Sequence, residues 1–321
     1  MQLAKRRNPL KDQRILLSLV IVLIVIVVSI IKPAFLKINN IFSILQQISV
    51  LGVLTMAMGL LLLGGGIDLS MGNMMALACV TMATIINTHP DLPYVFPLAL
   101  VTGILMATAA GTLNGIIIAK SKCLPLIITL GTSQMFYGIG LLIAGGSFQS
   151  FFKYFDFLRK VKLFDVVPLM VLLMLLVVAV VYVLVQRTRF GRRIIAIGGN
   201  EKNAYLSGIN VDLHKIRTYG LSGLLVGVAS CILAGRLNSI TAVAGQGYEL
   251  DALVAAIIGG ITFEGGRGSV GGAFLGCLFT GIIANALDIM GVHSYTKTVI
   301  TGALIIFAVI LSNLNNLKKK K

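Results

Sequence analysis

The run ILLSLVIVLIVIVVSII, residues 15–31, carries no charge across 17 positions and is bracketed by Arg14 and Lys32. A helix of that length rises about 26 Å, close to the ~30 Å hydrocarbon core of a bilayer, so the run reads as a membrane-spanning helix. Lys5, Arg6, Arg7, Lys11 and Arg14 precede it, and Lys32-Pro33 follows without a small-residue cleavage site, so the span is expected to be retained. Similar runs recur along the chain. Ten spans are expected, at 15–31, 41–63, 69–87, 94–119, 123–145, 166–185, 216–235, 250–263, 269–289 and 296–313. The expected fold is therefore all-α and polytopic, with about ten transmembrane helices in one domain over 1–321.

Composition agrees. Apolar residues make up 57% of the 321 and charged residues only 12%, about half the charged share of a soluble domain. The net charge of +16 would suggest nucleic acid in a soluble protein, but here the basic residues gather between apolar runs as orientation signals. With both termini in the cytoplasm, the amino-terminal cluster, Lys120, Lys122, the stretch Arg187 to Arg217, Arg267 and Lys318 to Lys321 place about 19 of the 27 Lys and Arg inside. Nucleic acid is not an expected partner; the lipid bilayer is. Cys79, Cys123, Cys231 and Cys277 are far apart and lie in or beside apolar runs, as small packing residues do.

Glycine supplies 35 residues and recurs at four-residue spacing: Gly111 and Gly115, Gly223 and Gly227, and Gly268, Gly272 and Gly276. That spacing puts small residues on one helix face, where backbones approach closely in a bilayer. The doublets Gly65-Gly66, Gly259-Gly260 and Gly265-Gly266 instead read as helix breaks. A glycine cluster with an acid occurs at Gly64 to Gly72 and again at Gly259 to Gly272, which fits an inverted repeat of spans two to five and seven to ten.

The search for catalytic motifs is negative. His89, His214 and His293 are isolated, and the chain has no H-E-x-x-H, no G-x-S-x-G and no G-x-x-x-x-G-K-[ST] phosphate loop. ATP, if used, is bound by another polypeptide, and no cofactor or metal is expected. Asp68 stands between two apolar runs, where acids are costly and mark function. It reads either as a cap for the helix beginning near Ser70 or as a direct ligand or proton-coupling group. Asp68, Ser70, Asn114, Glu249 and Asp251 are the candidates for the translocation path or the helix break.

The stretch 187–217 is the longest expected cytoplasmic segment. Asn200 is a good N-cap, Glu201 suits the positive end of a helix, and Gly208 ends it about two turns later, so a short exposed helix is expected between basic runs. A plain basic connector lying on anionic headgroups is the alternative.

Several motifs, in order over nearly the whole chain, resemble the ribose-type permeases of ATP-binding cassette importers. They are Asn39-Asn40 leading to Leu45-Gln46-Gln47, Gly66-Ile67-Asp68-Leu69-Ser70, Thr188-Arg189-Phe190-Gly191-Arg192, Ala196-Ile197-Gly198-Gly199-Asn200-Glu201, Leu206-Ser207-Gly208-Ile209-Asn210-Val211, Gly247-Tyr248-Glu249-Leu250-Asp251-Ala252 and Gly265-Gly266-Arg267-Gly268-Ser269. The resemblance implies a permease homodimer in the bacterial inner membrane, working with an ATP-binding cassette ATPase, fused or in two copies, and a sugar-binding protein outside. It also implies that Asn200, Glu201, Ala204, Tyr205, Leu206, Ser207, Gly208 and Asn210 form the coupling helix that contacts the ATPase. Met71 and Asn73 depart from the smaller residues expected there.

The function expected is import of a monosaccharide, ribose or a related sugar, driven by the separate ATPase. An ion-coupled secondary transporter using Asp68, a nucleoside or branched-chain amino acid permease of the same class, and a membrane-embedded enzyme are the rival readings.

Overall fold

A computed structural model of the chain describes residues 13–151, 153–163 and 167–317. The expected basic clusters at Lys5, Arg6, Arg7 and Lys11 and at Lys318 to Lys321 lie outside those residues. The chain is helical almost throughout: α1 (Gln13–Ile31), α2 (Ile38–Leu63), α3 (Met71–Thr88), α4 (Val95–Ser121), α5 (Pro125–Ala144), a single turn α6 (Phe157–Lys160), α7 (Leu169–Arg187), α8 (Arg189–Gly199), α9 (Glu201–Leu206), α10 (Val211–Leu237), α11 (Tyr248–Ile258), α12 (Val270–Ile289) and α13 (Ser294–Leu317). Two antiparallel pairs of two-residue strands are the only β structure among the described residues: β1 (Gln149–Ser150) with β4 (Ser239–Ile240), and β2 (Lys162–Leu163) with β3 (Val167–Pro168).

Among the described residues, eight helices are long and apolar enough to cross a membrane, and α13 is 24 residues long with an apolar stretch at Tyr295–Phe307. The eighth expected span is the exception in length. Its helix, α11, has 11 residues and rises about 16 Å, half a bilayer. Gly259 and Gly260 stop it, the latter at φ +92°, a conformation that glycine adopts without strain. The seventh span differs the other way. Asn210 caps it, accepting from Leu213 N–H at 3.0 Å, so α10 starts at Val211 and its 27 residues reach about 40 Å, overshooting the hydrocarbon core.

The core is a column rather than a droplet. From Ile48 to Leu63, α2 is buried on all sides, enclosed by neighbours that include α7, α10, α11 and α12. A helix apolar all round belongs in such a position. The glycine spacings do what they are expected to do. A Cβ on Gly111 would stand 2.8 Å from Gly223 Cα, and one on Gly227 would stand 2.9 Å from Ile104 Cα, so α4 and α10 pack backbone to backbone. Likewise a side chain on Gly272 would collide with the Gly259 carbonyl, and one on Gly276 with Ala255, which seats α12 on α11.

Turns sort to two ends. At one end Gly266 N–H donates to Leu63 O at 3.1 Å, Lys122 pairs with Asp212, and the basic loop of α8 and α9 sits over the α2–α3 break. At the other end Phe96 stacks on Tyr154, Lys153 N–H donates to Asn238 Oδ1 at 3.1 Å, and Lys162 lies over the Phe42 ring.

Candidate functional site

Where α2 stops, the chain makes a buried break. Gly64 closes α2, and Gly65 turns at φ +73°. Gly66 then passes against the Tyr219 ring, whose hydroxyl donates to Ile67 O at 2.8 Å. Asp68 follows, fully buried. Three donors converge on its carboxylate: Ser70 N–H at 2.8 Å and Ser70 Oγ at 2.5 Å on Oδ1, and Asn114 Nδ2 at 3.3 Å on Oδ2. Asn114 Nδ2 also donates to Ser70 Oγ at 2.9 Å, while Asn114 Oδ1 is buried without a partner. Asp68 thus holds Ser70, the residue before the first turn of α3, and Ser70 itself makes no side-chain cap. The turn is of the Asx kind, fixing the start of α3 by a local bond.

The five residues named from the sequence separate into three places. Asp68, Ser70 and Asn114 form one cluster. Glu249 lies against Gly72 in the first turn of α3, with Oε1 accepting from Gly247 N–H at 3.2 Å and Oε2 buried and unpaired. Asp251 is elsewhere, lining a cavity of about 260 Å³ bordered by α2, α11, α12, α13 and the end of α10. Residues two apart on a helix point to opposite sides, so Glu249 and Asp251 cannot share one wall. Tyr219 was not legible as part of the site: its contact with Ile67 spans 152 residues and has no local signature. The same holds for Asn73, whose Nδ2 donates to Ser133 Oγ at 2.9 Å and ties α3 to α5.

The basic loop carries two helices. Thr188 caps α8, accepting from Gly191 N–H at 3.2 Å, and Ile194 and Ile197 turn inward while Arg192 and Arg193 stay out. This amphipathic helix was not anticipated; the arginines alone suggested a connector. Asn200 caps α9, accepting from Asn203 N–H at 2.8 Å. After Ser207, Gly208 turns at φ +80° and Ile209 N–H returns to Ala204 O at 3.1 Å, closing the end as expected. Ala204 is buried against Ile197 and Val211, whereas Tyr205 and Leu206 are 69% and 72% exposed. Glu201 pairs with Lys215 at 2.7 Å, and a cleft of about 800 Å³ opens between α9 and the start of α10. Gly198 rests on the break itself, since a Cβ there would stand 2.9 Å from Gly65 N and 2.7 Å from Gly266 N. An exposed apolar tip is therefore bolted, through α8, to the glycines that precede Asp68.

No group of three or more His, Cys, Asp and Glu among the described residues is placed to hold a metal ion. The comparisons with known proteins fit this geometry. The family described as branched-chain amino acid transport system / permease component matches residues 40–309. The ribose import permease of Bacillus subtilis (strain 168) is 38% identical over 299 residues, 90% of this chain and 89% of that relative. The ribose import permease of Escherichia coli (strain K12) is 35% identical, covering 95% and 94%. The galactose/methyl galactoside import permease of the same strain is 37% identical, covering 97% and 96%. No solved structure matches the chain. With the match running over most of its length and over nearly all of these relatives, the chain belongs to this family of multi-pass transport permease components.

Proposed function

We propose that the chain is the membrane subunit of a bacterial inner-membrane importer that carries a monosaccharide inward, driven by ATP hydrolysis on a separate subunit. The observation that carries this reading is the α9 tip. Two large apolar side chains, Tyr205 and Leu206, stand exposed on a helix that is capped at both ends and seated on Ala204. Exposed apolar groups held that rigidly favour a protein partner over water. The likeness to ribose and galactose permeases supports the sugar.

In this mechanism the basic loop faces the cytoplasm, with both termini, and a binding protein delivers sugar at the opposite face. The whole of 1–321 acts as one permease domain, with 187–217 as its coupling loop, and two copies form the path. Closure of the ATPase pair moves α9 and α8 together. Gly198 presses on the break at Gly65, and the turn held by Asp68, Ser70 and Asn114 transmits the shift to α3.

Replacing Leu206 with Asp tests the reading. A charge buried without a partner in the ATPase interface costs several kcal/mol, roughly 3 or more. Hydrolysis stimulated by the loaded binding protein is then expected to fall at least about a hundredfold, while the permease inserts and folds. Co-purification with the ATPase and normal stimulation would rule out docking through α9.

A further inference from the structure

The cavity bordered by α2, α11, α12, α13 and the end of α10 has no part in the coupling mechanism, yet it is built like a small binding site. Its volume is about 260 Å³, just under the ~300 Å³ at which pockets for drug-sized ligands begin. Its polar lining includes Gln47, Arg236, Gln246, Asp251 and Lys297 with two threonines and a tyrosine, and aliphatic side chains supply the rest.

Three features define what fits. Depth comes first: Lys297 pairs with Asp288 near the end away from the basic loop, whereas the lining residues Gln47 and Leu51 lie about 14 and 20 Å into α2 from that same end. The cavity therefore runs from one face to the middle of the membrane. Spare valence comes second. Among the described residues the side chains of Gln47, Gln246 and Asp251 make no hydrogen bond, and Arg236 uses one donor on Tyr248 Oη at 3.0 Å. Two carboxamides, a carboxylate and most of a guanidinium are thus free to serve donors and acceptors together. Charge comes third: Asp251 balances Arg236, and Asp288 balances Lys297, so the site favours no ion. A neutral ligand that both donates and accepts hydrogen bonds and shows C–H faces to aliphatic walls is a polyhydroxylated sugar.

We propose that this cavity is a monosaccharide-binding site within each permease copy, holding the sugar at mid-depth between delivery and release. The proposal rests on the reading of the chain as a sugar importer.

The test uses the permease assembled with its ATPase in nanodiscs, with Cys123→Ser removing the exposed native thiol. Thr301, which lines the cavity, is replaced (Thr301→Cys), and its alkylation by a methanethiosulfonate reagent is timed with D-ribose, D-galactose, D-allose or sucrose. At about ten times a millimolar dissociation constant, a bound monosaccharide leaves roughly one site in eleven free, slowing alkylation about tenfold. At least one monosaccharide is expected to protect and sucrose is not; equal rates with all four overturn the proposal. A second variant, Ala284→Trp, fills the cavity. Uptake is expected to fall at least about tenfold with assembly and stimulated hydrolysis retained, and unchanged uptake overturns the proposal. Should that variant fail to assemble, the alkylation result decides. Absence of any monosaccharide uptake by the wild-type complex overturns the importer reading and this site with it, whereas wild-type uptake with an unprotected thiol overturns the site alone.

Discussion

Replacing Asp68 by Asn and by Leu separates a structural carboxylate from a charge used in transport. Asp68→Asn keeps an acceptor oxygen for Ser70 N–H and Ser70 Oγ, the two bonds at 2.8 and 2.5 Å. Its new N–H group faces Asn114 Nδ2, now 3.3 Å from the carboxylate, but a flipped Asn114 amide offers its unpartnered Oδ1 there. The net loss is about one hydrogen bond, ~1 kcal/mol. Asp68→Leu offers no acceptor. It leaves Ser70 N–H, the Ser70 hydroxyl and one Asn114 N–H unsatisfied in a buried site at about 1–3 kcal/mol each, roughly 3–9 kcal/mol in total. That is a large share of the roughly 5–15 kcal/mol that holds a typical domain together. Uptake at matched expression and the melting temperature of the purified permease are the readouts. The Asn variant is expected to retain most of both, and the Leu variant to lose much of both. If Asn melts like wild type yet transports no better than Leu, the charge itself is required and the positioning account of Asp68 fails.

Two further outcomes follow from packing and charge. Gly223→Leu drives a side chain into α4, where even a Cβ stands 3.1 Å from Gly111 Cα, and is expected to cost at least about 3 kcal/mol, while Gly131→Ala in α5 meets open space and should stabilise by about 0.5–1 kcal/mol; comparable melting temperatures for the two would refute the close α4–α10 contact. The Lys160 ammonium hydrogen-bonded to Asp156 holds that carboxyl below the usual carboxylate range, so its contribution is present above the unfolded-state value and is lost as pH falls through the lower folded value. Asp156→Asn should therefore flatten the acid side of the stability profile of the purified permease, and an unaltered profile would count against the pair.

Local chemistry made much of this legible. The long spans follow from uncharged runs matched to bilayer thickness, and α9 follows from Asn200 and Gly208, whose capping bonds lie within a few residues. Contacts between residues far apart in sequence carry no such local signature. Asn114 and Asp68 are 46 residues apart, and Tyr219 and Ile67 are 152 apart, so only the packed bundle brings them together. The half-length of α11 was masked by the apolar residues that continue past Gly260 to Phe263, which preserve the hydropathy of a span after the helix has ended. Helix α8 hid behind its arginines, although Ile194 and Ile197 three apart mark an inward face.

The dependence of uptake on a separate ATPase bears most directly on the account. The chain contains no phosphate loop, and a buried acid beside a helix break is also what an ion-coupled carrier would use. Reconstitution of the permease in liposomes, alone and with its ATPase and binding protein, with radiolabelled D-ribose or D-galactose and imposed proton and sodium gradients, separates the two. The account predicts ATP-dependent accumulation by the full assembly and none by the permease alone under either gradient; gradient-driven accumulation by the permease alone would contradict it.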